Sequence, residues 1–197
     1  MVDAMIMTKF FEVRWHGRGG QGTVTGAKSL AEAVQGTGKF VSAFPDYGPE
    51  RRGAPLRAYN RFSGKPIRIH TPVHNPDVVI VVDHTLIRNR ELMDGISDHT
   101  IFIVNTEQDA TSIKKELMVS RQRVLTVPAN NISYELFKRE IPNSAVMGSF
   151  ARACPNIISI EKLIEEAEHI FASLLGKELV KKNLEAIRRG YEEGDIQ

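Results

Sequence analysis

Trp15-His16-Gly17-Arg18-Gly19-Gly20-Gln21-Gly22-Thr23 places four glycines within six residues. The run before it alternates: Phe11, Val13 and Trp15 are apolar, while Glu12, Arg14 and His16 are polar. That period of two predicts a β-strand with one polar face. After it, Val24, Ala27, Leu30, Ala31 and Val34 recur at helical spacing, and Gly36 and Gly38 end the run. A glycine-rich strand-to-helix junction lets backbone approach a neighbour or ligand closely. It also gathers unpaired N–H groups and the positive end of a helix dipole, which together favour an anion. Gly17-x-Gly19-x-x-Gly22 matches the dinucleotide-binding spacing. Two features argue against that use: the strand has a polar face, and no acid directly ends the second strand, predicted at Lys39–Phe44. No lysine follows the last loop glycine, so it is not a P-loop either.

Working outward, Pro45-Asp46-Tyr47-Gly48-Pro49 reads as irregular. Leu56–Phe62 and Pro66–His70 flank Ser63-Gly64-Lys65 and predict a hairpin. Val78–Val82 is apolar on both faces and reads as a central, parallel strand. Ile101–Val104 and Val124–Val127 read likewise, with helices at 85–93, 109–118 and 131–139. Two amphipathic helices close the chain over 159–191, and residues 1–8 read as a loose leader to a single domain. Strands alternating with helices predict an α/β fold, a mostly parallel sheet with an added antiparallel hairpin.

Composition narrows the function classes. At 197 residues and 42% hydrophobic, the chain is long and apolar enough for one buried core. A net charge of +2 does not suit a nucleic-acid binder, and no apolar run approaches a membrane span. No basic segment with an apolar core opens the chain, so a cytoplasmic protein is expected. Cys154 is the one cysteine, which leaves no thiolate set for an iron–sulfur or zinc site here. It reads as a structural thiol. His16 reads first as a strand-end residue bonded to backbone and second as a proton carrier or an orienting donor at the loop, and Asp83, Asn105 and Asp109 read as helix caps. Arg51-Arg52, beside Tyr47, Gly48 and Gly53, reads as a compact anion-recognition set of forked guanidinium groups. No catalytic acid–base or nucleophile constellation is legible.

Four segments carry a resemblance: Arg14–Gly22, Ala43–Pro55, Asn75-Pro76-Asp77-Val78-Val79 and Ile141-Pro142-Asn143. Together, in order over about residues 10–191, they resemble the gamma component of 2-oxoacid:acceptor oxidoreductases, with Pro49-Glu50-Arg51-Arg52-Gly53-Ala54-Pro55 closest to the pyruvate:ferredoxin branch. The resemblance implies a three-layer α/β/α Rossmann-like domain. It implies a subunit of a complex that converts pyruvate and coenzyme A to acetyl-CoA and CO2 and reduces ferredoxin. Thiamine diphosphate and iron–sulfur clusters would sit on partner subunits, coenzyme A would be a substrate, and the isolated chain would be inactive. Gly17, Arg18, Gly19, Gly20, Gln21, Gly22, Arg51 and Arg52 would then form an electropositive wall for coenzyme A at a subunit cleft. The rival readings are a stand-alone dinucleotide enzyme, a gamma subunit serving another 2-oxoacid, and a structural adaptor that docks through its basic hairpin.

Overall fold

The computed structural model describes residues 10–46 and 53–197, and the expected leader lies outside them. The elements are β1 (Phe11–Arg18), α1 (Thr23–Gln35), β2 (Phe40–Asp46), β3 (Pro55–Ser63), β4 (Val78–Val81), β5 (Ile101–Asn105) and α2 (Ala110–Glu116). They continue with β6 (Arg123–Val127), α3 (Ala129–Phe137), α4 (Asn143–Ala153), α5 (Ile160–Leu174), α6 (Lys177–Glu192) and β7 (Asp195–Ile196). One sheet has the order β2-β3-β1-β4-β5-β6-β7. The β1, β4, β5 and β6 ladders are parallel, and β3 and β7 run against their neighbours. The fold is the expected α/β class, with helices on both faces.

The two faces differ in thickness. Val13, Trp15, Val78, Ile80, Ile103 and Leu125 point to one face, under α1, α3, α4, α5 and α6. Val79, Val81, Phe102, Val104 and Val124 point to the other, under α2 and two short 3₁₀ turns, His84–Leu86 and Arg90–Met93. The all-apolar β4 is fully buried, as a parallel strand covered on both sides must be. In the thick layer α4 and α6 touch backbone to backbone. A Cβ on Gly148 would overlap the Ile187 carbonyl, and one on Gly190 the Ala145 carbonyl.

Three local expectations are corrected. The hairpin partner of β3 is β2, not Pro66–His70, which carries no regular structure. Both edges of β3 are taken by β1 and β2, so a strand at 66–70 has no edge of β3 to pair with. Pro45 and Asp46, expected to be irregular, belong to β2; it is an edge strand, where a proline's missing N–H costs no ladder bond. The helix expected over 85–93 is two 3₁₀ turns, capped by Asp83 and Asn89. The sequence patterns do not announce α4 or β7. Nearly every residue of α4 is buried, so its sequence shows no polar stripe, and β7 is only two residues long.

Candidate functional site: the carboxyl edge of β1 and β4

In chain order β1 leads through α1 to β2 and β3 on one side, and the chain then returns to β4 on the other. The strand order therefore reverses at the β1–β4 boundary, and open α/β sheets bind ligands at the carboxyl side of such a boundary. Gly17–Gly22 lies at that edge. Two of its glycines are needed for the turn itself: Gly20 and Gly22 have φ of +99° and +78°, the left-handed region. Gly17 serves packing, because a Cβ there would overlap Thr23 Oγ1.

Part of the loop is bonded inward. The Gly19 N–H donates to Ala54 O at 3.1 Å, and the Gly53 N–H to Gly19 O at 3.2 Å. The Gln21 N–H donates to Arg18 O, and the Gln21 side chain accepts from Arg18 N–H and donates to Asp83 at 2.6 Å. Arg18 reaches across the edge to Gly53 O and Thr85 Oγ1 and pairs with Asp83 at 3.1 Å. Burial alone would push the Asp83 carboxyl up. The hydrogen bonds from Thr85 and Gln21 and the Arg18 charge outweigh it and hold Asp83 below the usual carboxylate range. Arg18 and Gln21 thus fasten the loop to the end of β4.

The rest of the loop is open. The N–H groups of Gly20, Gly22, Thr23 and Val24 have no acceptor among the described residues. They open the 13-residue α1, whose first turn has no side-chain cap. Thr23 Oγ1, buried in the same turn, also lacks a partner among the described residues. Arg51 and Arg52 lie outside the described residues, between Asp46 and Gly53.

Three of the four segments singled out in the sequence meet here. Gly53-Ala54 is laddered to Gly19, and Asn143 packs against Gly22 and Gly26, where a Cβ would stand 3.4 Å and 3.1 Å from it. The fourth does not join them. Asp77 Oδ2 accepts the Glu12 N–H at 2.8 Å, and Pro76 O accepts from Thr100 at 2.9 Å, both at the opposite end of the sheet. The cap readings hold for Asp83 and for Asp109, which accepts the Ser112 N–H; Asn105 caps from a distance, accepting the Asn130 N–H in the first turn of α3 while donating to Val82 O and Asn130 Oδ1.

Two arginines of β3 are held by carboxylates. Arg61 pairs with Glu12 at 2.6 Å, and Arg57 with Asp46 at 3.0 Å. Burial pushes the Cys154 thiol up to about 12, so it is unreactive. Among the described residues, no three His, Cys, Asp or Glu side chains form a metal-binding group, and no helix is long and apolar enough to cross a membrane.

His16 departs from its expected role. It is buried, and its partner is not backbone: Nε2 accepts from Arg14 Nε at 3.1 Å. Burial, with Arg14 and Arg57 nearby, pushes its pKa down to about 3, so the ring is neutral. Arg14 is itself buried and donates to the carbonyls of Glu91 and Leu92. His16, Pro55, Leu56, Arg57, Leu86 and Glu91 line a cleft of about 260 Å³ beside the glycine loop. The polar alternation of β1 is the available signal, but alternation alone cannot tell a solvated face from a buried polar one.

Residues 12–193 match the family described as pyruvate ferredoxin/flavodoxin oxidoreductase. The pyruvate synthase subunit PorC of Thermotoga maritima is 40% identical over 188 residues, covering 95% of this chain and 96% of the relative. The common gamma subunit of the pyruvate/ketoisovalerate oxidoreductases of Pyrococcus furiosus is 41% identical, covering 94% and 97%. A crystal structure of the Thermotoga maritima pyruvate oxidoreductase subunit superposes with a TM-score of 0.83 at 38% identity, over 96% of this chain and 99% of that one. With the family match, the sequence identities and the fold in agreement, the chain belongs to the pyruvate ferredoxin/flavodoxin oxidoreductase family, as a gamma subunit.

Proposed function

We propose that this chain, as one domain, is the gamma subunit of a cytoplasmic complex that oxidatively decarboxylates pyruvate with coenzyme A. The products are acetyl-CoA and CO2, and the electrons pass to ferredoxin. Pyruvate is the proposed substrate because these similar proteins are named for it, and the Pyrococcus furiosus relative is named for ketoisovalerate as well. Thiamine diphosphate and the iron–sulfur clusters belong to partner subunits. The chain supports assembly and holds coenzyme A.

The observation that carries this reading is the set of N–H groups of Gly20, Gly22, Thr23 and Val24 at the start of α1, unpaired among the described residues. Coenzyme A brings a pyrophosphate and a ribose phosphate, and convergent backbone donors at a helix N-terminus suit such oxygens. Arg18, neutralised by Asp83, orders the loop. Positive charge for the phosphates falls to Arg51 and Arg52, which follow Asp46 and precede Gly53 in the chain.

The sheet order weighs against the stand-alone dinucleotide enzyme. In that fold the second strand lies beside the first and ends in a ribose-binding acid. Here β3 separates β2 from β1, and Asp46 is occupied by Tyr59 and Arg57.

The test is kinetic, on the assembled complex. Removing one charge-assisted hydrogen bond to a phosphate should raise the KM for coenzyme A about tenfold or more. Gly20→Val and Arg52→Ala should therefore weaken coenzyme A far more than pyruvate. Assembled variants with a wild-type KM for coenzyme A would remove the phosphate site. Pyruvate turnover by the single chain would remove the subunit reading, and tight NAD or FAD binding would revive the rival.

A further inference from the structure

The cleft beside the glycine loop has three chemical properties. Its charges are cancelled internally: Arg57 is held by Asp46 at 3.0 Å and by Glu91 at 3.7 Å. Its wall is partly apolar, from Pro55, Leu56 and Leu86. Its deepest polar group is His16, 2% exposed, whose hydrogen is fixed in place. An arginine Nε can only donate, so the 3.1 Å bond from Arg14 makes His16 Nε2 the acceptor. In a neutral ring the hydrogen then sits on Nδ1, which has no acceptor among the described residues. The result is an uncharged, single-tautomer donor, buried at the base of a cleft.

Such a site suits an uncharged acceptor. A carboxylate or phosphate would find no unpaired cation among the described lining residues, whereas an amide carbonyl would find the buried His16 N–H, the Asn89 side-chain amide nearer the rim, and an apolar wall. The rim of the cleft also touches the elements that fasten the loop. In the β1–β3 ladder Pro55 and Leu56 pair with Arg18 and Gly17, and Leu86 follows the Thr85 that Arg18 grips. A ligand with phosphates at the start of α1 and an uncharged amide-bearing arm could span both places.

We propose that His16 is a positioning residue that donates its Nδ1 hydrogen to an amide carbonyl of the pantetheine arm of coenzyme A. This inference rests on the coenzyme A reading above. His16 sets where the arm lies as it leaves the subunit, and Arg14 sets the tautomer of His16.

Two substitutions separate this role from a structural one. A glutamine reaches the position of Nε2 and can still accept from Arg14, but offers nothing in place of Nδ1. An asparagine puts an N–H near Nδ1 and gives up the Arg14 bond. Dissociation constants would be measured on the assembled complex for coenzyme A and for adenosine 3′,5′-bisphosphate, which lacks the arm. His16→Gln should weaken coenzyme A about three- to tenfold, the loss of one neutral hydrogen bond, and leave the bisphosphate unchanged. His16→Asn should stay closer to wild type. If His16 only holds Arg14, the order reverses: glutamine is harmless and asparagine is not. Equal weakening of both ligands by His16→Gln would also overturn the proposal. Should that variant fail to assemble, Leu56→Trp fills the cleft from its wall and should give the same coenzyme A-selective loss; an unchanged affinity overturns the proposal. A wild-type complex that binds neither ligand would defeat the coenzyme A reading itself, a result distinct from a cleft that does not touch the arm.

Discussion

The two faces of β1 solve the same packing problem with opposite chemistry. Val13 and Trp15 lie under a thick helical layer, and the Trp15 indole donates to Asn60 at 2.7 Å, so even its one polar atom is satisfied. Glu12, Arg14 and His16 face a layer of short turns and loop, where the cations Arg14 and Arg61 are also nearly fully buried. Burying charge is costly unless it is hydrogen-bonded. Arg61 has Glu12 and Pro72 O, while Arg14 has only carbonyls and an imidazole. The apolar face supplies stability. The polar face keeps a cleft open and a tautomer fixed, and it gives up some stability to do so.

That contrast predicts an ordering of effects. The largest belongs to the apolar face: Trp15→Ala should cost about 3–5 kcal/mol in urea unfolding, because it empties a fully buried site and orphans Asn60. A loss near that produced by His16→Gln would erase the distinction between the faces.

The next concerns acid. The His16 pKa is about 3 in the fold and near 6.5 unfolded, so below pH 6.5 the unfolded chain binds the extra proton. Stability is then complete above pH 6.5 and falls as pH drops from there towards 3. At pH 5 the loss should be about 2 kcal/mol relative to ~pH 7.5, and His16→Gln should remove it. Unfolding curves at the two pH values, for both proteins, measure this directly. An identical pH slope in the variant would mean that His16 is charged or exposed.

The smallest lies on the edge between the faces. Gly22→Ala places a Cβ in ordinary contact with Asn143, so its cost is that of a left-handed φ, about 1–2 kcal/mol. A loss much larger than this would mean that the turn also carries packing strain.

How far the sequence discloses this arrangement depends on what each pattern encodes. The buried parallel strands are legible because both their faces are apolar, and α5 and α6 because one stripe of each is. The glycine edge is legible because left-handed turns demand glycine. Burial on all sides hides α4, and a competing turn signal at Ser63-Gly64-Lys65 hides the β2–β3 pairing. The polar face of β1 misleads in a more useful way. Alternation suggests a half-exposed strand, but β1 is central, and its polar residues are taken up by a buried network. Periodicity reports which side chains share a face, not what covers them. Arg18 and Gln21 are legible as loop residues, yet their ties to Asp83 and Thr85 need three dimensions.

The central claim is that the donors at the start of α1 are open to phosphate oxygens while their neighbours are not. It can be read one backbone amide at a time, by ¹⁵N–¹H NMR of the labelled chain titrated with adenosine 3′,5′-bisphosphate. The amides of Gly20, Gly22, Thr23 and Val24 should shift together and saturate, with Gly19 and Gln21, already bonded to Ala54 O and Arg18 O, moving less. Saturable shifts confined to other regions, with Gly20–Val24 unmoved, would contradict it.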